Sequence, residues 1–121
     1  MKILVAEDNF NNRLILHDIL TFYKYEVIEA DNGAAAIDVA KREKPDLILM
    51  DLQMPAKDGF EALAAIRKDP EIKSVPIIAV TASAMPADRA KVLAAGFDGY
   101  VTKPFEVKEI VEVVKQHLGE K

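Results

Sequence analysis

Five short apolar runs alternating with five amphipathic segments predict an α/β domain, a sheet of parallel strands carrying helices on both faces. Two further observations agree. The runs are near-continuously apolar and rich in β-branched residues, as strands covered on both sides should be. Glycine, proline and asparagine fall between the segments and so mark their ends.

Taken in order, the first run is Ile3-Leu4-Val5-Ala6. A helical pattern near residues 10–23 follows. Its apolar residues (Phe10, Leu14, Ile15, Leu16, Ile19, Leu20, Phe22 and Tyr23) spread beyond the single stripe that one core face needs. The second run is Glu26-Val27-Ile28, after which Asp31-Asn32-Gly33 opens a helix near 33–43 and Pro45 closes the loop beyond it. The third run, Asp46-Leu47-Ile48-Leu49-Met50, ends at Asp51 and precedes a helix near 58–68. Pro70 and Pro76 bracket the approach to Ile77-Ile78-Ala79-Val80, and a helix near 86–95 ends at Gly96, where a left-handed residue is wanted. Tyr100-Val101-Thr102 is the last strand. The helix near 106–118 carries Val107, Ile110, Val111, Val114 and Leu118 on one stripe. Of the doubly wound orders, 2-1-3-4-5 suits this length, although periodicity does not encode strand order.

A length of 121 residues fits one domain, 1–121, with no linker or repeat inside it. Half the residues are hydrophobic and 30% charged, which excludes a disordered chain. The net charge of −4, with 16 scattered basic residues, argues against a nucleic-acid partner, since phosphate neutralisation needs clustered Lys and Arg. The absence of cysteine excludes disulfides and thiolate metal sites. The opening MKILVAEDNF is no signal peptide, and no segment approaches the roughly 20 apolar residues of a membrane helix. The expectation is a cytoplasmic protein with no membrane partner.

In an open parallel sheet the site lies beyond the carboxyl ends of the strands. Glu7 and Asp8 follow the first strand, Asp51 ends the third, Thr81 the fourth, and Lys103-Pro104 the fifth. Three carboxylates, a hydroxyl and an ammonium thus converge on one rim. Clustered carboxylates repel one another, and a hard divalent cation with oxygen ligands relieves that; Mg²⁺ takes one or two carboxylates, waters and a substrate phosphate. Singly, Asp8 or Asp51 could equally be a helix cap. Thr81 alone reads as an ordinary strand residue and Lys103 alone as a solvated one. Together they read as a site. No glycine-rich phosphate loop is present, and His17 and His117, with no partner pattern, read as surface positions.

These residues resemble the receiver domain of two-component response regulators, single-domain type. The shared signature is Glu7-Asp8-Asn9, Asp51, Met54-Pro55, Asp58-Gly59, Thr81-Ala82 and Lys103-Pro104-Phe105, spread over essentially the whole chain. The resemblance implies a flavodoxin-like sheet of order 2-1-3-4-5. It implies that Asp51 becomes an aspartyl-phosphate and that Asp8, Asp51 and the Gln53 backbone carbonyl hold Mg²⁺, with Glu7 acting through water. Lys103 would pair with a phosphate oxygen, and Thr81 would hydrogen-bond to the phosphoryl group while Tyr100 moves inward as the switch aromatic. The Lys103-Pro104 bond would be cis.

The implied donor is a histidine kinase or histidine phosphotransfer protein. The implied reader is a protein bound to the fourth helix, fifth strand and fifth helix, with Met85, Lys91 and Tyr100 as contact candidates. Phe10 and Leu14 stay open between donor docking and burial beneath a neighbouring helix. Gln53 and Ser83, each two residues past a site residue, would tune the phosphoryl lifetime. Two departures stand out: Glu7 where many members carry Asp, and Lys57 where an apolar residue is common, which makes the loop after Asp51 more polar.

Rival classes meet specific obstacles. A haloacid-dehalogenase-like phosphatase wants a second Asp two residues after its nucleophile, where Gln53 stands. A flavin module wants a hydroxyl-rich loop where this chain places acids. A receiver cut from a hybrid histidine kinase is disfavoured by Met1 just before the first strand. The expectation is a signalling switch and not an enzyme, its chemistry confined to its own Asp51.

Overall fold

Every central strand buries both of its faces, and that sorts the helices into two layers. The computed structural model describes residues 1–82 and 85–119. Its elements are β1 (Lys2–Ala6), α1 (Phe10–Phe22), β2 (Glu26–Ala30), α2 (Gly33–Glu43), β3 (Leu47–Asp51), α3 (Gly59–Arg67), β4 (Ile77–Thr81), α4 (Pro86–Ala95), β5 (Gly99–Thr102) and α5 (Val107–Leu118). All strand pairs are parallel and the order is β2-β1-β3-β4-β5, the flavodoxin-like arrangement.

Period-two alternation assigns the faces. Ile3, Val5, Leu47, Leu49, Ile78 and Val80 pack with Leu16, Ile19 and Leu20 of α1 and Ile110, Val111 and Val114 of α5. Leu4, Ala6, Ile48, Met50, Ile77 and Ala79 pack with α2, α3 and Val92 of α4. Full burial of a Leu or Ile side chain contributes about 1.5–3 kcal/mol, so these two clusters hold the sheet between its two helix layers.

The helix starts are set by local hydrogen bonds. Asn9 caps α1 by accepting from the Asn12 amide at 3.0 Å, and Asn32 caps α2 by accepting from the Ala35 amide at 2.8 Å. Asp58 and Glu61 form a reciprocal capping box at α3. Gly96 ends α4 at φ 114°, a conformation that glycine alone adopts without strain. Strand β2 runs two residues past the apolar Glu26-Val27-Ile28 core, to Ala30; as an edge strand it tolerates the polar Glu29.

Candidate functional site

Backbone register carries three acids and a lysine to the same end of the sheet. The Glu7 amide donates to the Ala30 carbonyl at 3.0 Å, so Glu7 prolongs β1 by one rung and points its carboxylate inward, 1% exposed. Asp51, the last residue of β3, is 4% exposed. The Lys103 amide donates to the Thr81 carbonyl at 2.8 Å, and the Lys103-Pro104 peptide bond is cis. Gly59 lets the loop after Asp51 close on it: a Cβ there would lie 2.5 Å from the Asp51 carbonyl oxygen.

The Lys103 ammonium bridges the two buried acids. It donates to Asp51 Oδ2 at 3.3 Å and sits 2.9 Å from Glu7 Oε1. That second contact pairs charge but is poorly directed, and Glu7 Oε1 has no directional hydrogen bond. Asp51 Oδ1 accepts from the Gln53 amide at 3.1 Å, and Glu7 Oε2 from the Asn9 amide at 3.1 Å.

Burial, and then the hydrogen bond shared with Asp51, push the Glu7 carboxyl up from 4.5 to about 7; Lys103 and the Asn9 amide oppose this without cancelling it. Burial on its own would lower the Lys103 pKa. The adjacent Glu7 and the Asp51 charge outweigh it, so the net shift is upward and the ammonium stays charged.

Asp8 is exposed, and one carboxylate oxygen each from Glu7, Asp8 and Asp51 lies within 4.8 Å of the others. An under-bonded buried oxygen beside two further carboxylates suits a hard divalent cation better than lysine alone. The helix-cap alternative for Asp8 and Asp51 does not hold, because Asn9 and Asp58 fill those positions. Asp8, Asp51, Gln53, Thr81 and Lys103 all line one cavity of about 650 Å³.

A family model described as the response regulator receiver domain matches residues 3–115. The chain belongs to that family. Among curated relatives, the polar-differentiation response regulator DivK of Brucella anthropi is 37% identical over 119 residues, 98% of this chain and 97% of that protein. DivK of Brucella ovis is 36% identical over the same span. Among solved structures, a putative response regulator from Chloroflexus aurantiacus superposes with TM-score 0.93 at 29% identity, covering 98% of each chain. The receiver domain of a sensor histidine kinase from Pseudomonas aeruginosa superposes with TM-score 0.91 at 36% identity, again over 98% of each chain, and that structure has a magnesium ion coordinated in its active-site cleft.

The remaining expected receiver residues are distributed around this centre. Thr81 follows Ala79 on the α2–α4 face of β4, the face against which the half-buried Tyr100 packs. The Arg89 guanidinium lies 4.8 Å from the centre of the Tyr100 ring. Phe10 and Leu14 are exposed, not buried beneath a neighbouring helix, and Lys57 is exposed as its polarity suggested. Ser83 lies outside the described residues.

His117 is not a plain surface residue. It is partly buried, with Nδ1 2.9 Å from the Val113 carbonyl and Nε2 3.1 Å from the Asp98 carbonyl, and it packs against Gly99. His17 is likewise partly buried, 3.9 Å from Glu29. Sequence reasoning did not assign cavity-wall roles to Asn12, Phe60, Asp88, Lys91 and Val92. Their spacing on three different helices leaves no linear signal.

Proposed function

We propose that residues 1–121 act as a single receiver that takes a phosphoryl group onto Asp51 from a phosphohistidine of a histidine kinase or histidine phosphotransfer protein. The observation that carries this reading is the pairing of buried Asp51 with Lys103 at 3.3 Å, under an open cavity and beside two further carboxylates. An Asp51 carboxylate oxygen bonds to phosphorus as the phosphorus–nitrogen bond breaks, and that electron pair leaves with the imidazole. Lys103 is placed to follow the charge from the carboxylate to the new phosphoryl oxygens, and the Gln53 amide holds the carboxylate in orientation. Glu7, Asp8 and Asp51, with the Gln53 carbonyl, would hold Mg²⁺, Glu7 from one shell further out; when bound, the ion offsets the negative charge that gathers during transfer. Phe10 and Leu14, exposed at the rim end of α1, are offered as the surface on which the donor docks.

Output then runs through Thr81 and Tyr100. A phosphoryl group on Asp51 gives the Thr81 hydroxyl a charged acceptor, and Tyr100, on the same face, fills the space Thr81 leaves. The face formed by α4, β5 and α5 would present this change to a downstream protein, with Met85, Lys91 and Tyr100 as contacts. No helix among the described residues is long and apolar enough to cross a membrane, and the cytosol is the proposed location. Labelling with acetyl phosphate and Mg²⁺, followed by borohydride trapping and mass spectrometry, tests the assignment. The adduct is expected on Asp51, and undiminished labelling of Asp51→Asn would refute it.

A further inference from the structure

At about 650 Å³, the cavity over Asp51 has the size of a ligand pocket, not of a socket for one phosphoryl group. Asp51 forms its buried floor, and its walls are lined by Asn9 and Asn12 on the α1 side and by Phe60, Asp88, Lys91 and Val92 of α3 and α4. In phosphoryl transfer the attacking and leaving atoms lie roughly in line across phosphorus. A donor attacked by Asp51 therefore directs its leaving group away from the floor, into the space that Lys91 helps to line.

The charges of the wall are unequal. Asp58 and Asp88 border it, and the cations among the described lining residues are Lys91 and Lys103. Lys103 is occupied by Glu7 and Asp51 at the floor. The Lys91 ammonium lies 5.3 Å from the centre of the Phe60 ring, a cation–π contact that keeps it on the wall. An anionic leaving group entering this space meets the Asp8, Asp58 and Asp88 carboxylates and the Lys91 cation, whereas a neutral one is indifferent to these charges.

We propose that Lys91 selects among phosphodonors by receiving the anionic leaving group of small acyl phosphates, a role that rests on Asp51 being the phosphoacceptor. With acetyl phosphate, an Asp51 oxygen bonds to phosphorus and the bond from phosphorus to the acyl oxygen breaks. Its electron pair stays on that oxygen, and acetate leaves as an anion without any proton transfer. With phosphoramidate the phosphorus–nitrogen bond breaks and ammonia leaves with the hydrogens it already carries, so no anion reaches Lys91. Lys91 thus favours the first donor over the second, and over imidazole-based donors, whose leaving group is neutral when protonated.

The test compares initial rates of Asp51 phosphorylation by acetyl phosphate and by phosphoramidate at fixed Mg²⁺. It uses the wild type, Lys91→Met, which keeps the stem over Phe60, and Lys91→Arg, which keeps the charge. The ratio of the two rates is expected to fall roughly fivefold in Lys91→Met, as for loss of one solvent-screened charge contact, and to recover in Lys91→Arg. A ratio unchanged in Lys91→Met would overturn the proposal, and so would rates that fall in parallel for both donors. An equal fall of the ratio in Lys91→Arg would assign the effect to shape and overturn it too. Absence of wild-type labelling by either donor would instead remove the phosphoacceptor reading on which it stands.

Discussion

The α1 side and the α4 side of the sheet are anchored very differently. Helix α1 buries Leu16, Ile19 and Leu20 against β1, β2 and α5, while α4 buries Val92 alone. The same contrast runs along the rim. Glu7 and Asp51 are almost fully enclosed, with a lysine and backbone amides fixing their oxygens, whereas Thr81 and Tyr100 are half-buried and Tyr100 is covered by an exposed arginine. Phosphoryl chemistry needs groups held within fractions of an ångström, and a signal needs a segment that small biases can move. Under the proposed function the two demands fall on different parts of the molecule, the enclosed strand ends and the lightly anchored α4. On that proposal, a change at Asp51 would reach α4 without loosening the site itself.

The first way to break the comparison is by core truncation. Leu20→Ala, at a fully buried position of α1, is expected to cost about 2–5 kcal/mol, while Leu93→Ala on α4, 46% exposed, should cost less than about 1 kcal/mol. Urea unfolding of both variants checks this, and equal losses would end the distinction between the two sides.

A second expectation concerns protons at the enclosed acids. Because the Glu7 carboxyl is raised from 4.5 to about 7, the folded protein holds a proton there between those values that the unfolded chain does not. This contribution to stability is therefore present below about pH 4.5 and lost as pH rises through about 7. A metal competes with that proton, so Mg²⁺ affinity should rise about tenfold between roughly pH 6 and 8. Calorimetric titration in buffers of different ionisation enthalpy should also detect proton release on binding. A pH-independent affinity would mean that Glu7 takes no part.

Smaller effects belong to the α4 side. Val92→Ala should cost about 1 kcal/mol and speed amide exchange in α4 more than in α1, because the deleted methyls are the main anchor of that helix. Arg89→Ala should change stability by only about 0.5 kcal/mol, yet shift the Tyr100 ring resonances as its cation is removed. Unaltered Tyr100 resonances would show that the contact does not persist in solution.

Much of this architecture was legible in the residues, for identifiable reasons. Buried parallel strands write themselves as continuous apolar runs, so β1, β3 and β4 stand out, and α5 shows as one stripe. Edge strand β2 is longer than its apolar run shows, because Glu29 interrupts that run while facing solvent. The rim acids and Lys103 were legible because each sits where a strand ends. Less legible was anything set by three-dimensional packing. His117 looks solitary in the chain yet is wedged between two carbonyls and Gly99, and Arg67 ties Asp98 at 2.7 Å across 31 residues. The raised pKa of Glu7 also depends on how completely its carboxyl is buried beside Asp51, and no residue spacing announces that.

The claim that a fixed rim drives a movable α4 side is tested most directly by amide chemical shifts of the metal-loaded protein with and without beryllofluoride, a stable stand-in for the phosphoryl group. The account predicts changes at Asp51 and Lys103 that continue through Thr81, Tyr100 and Val92 along α4, while the core of α1 around Leu16 and Leu20 stays still. Shifts confined to the loops around Asp51, with Thr81, Tyr100 and α4 silent, would contradict it.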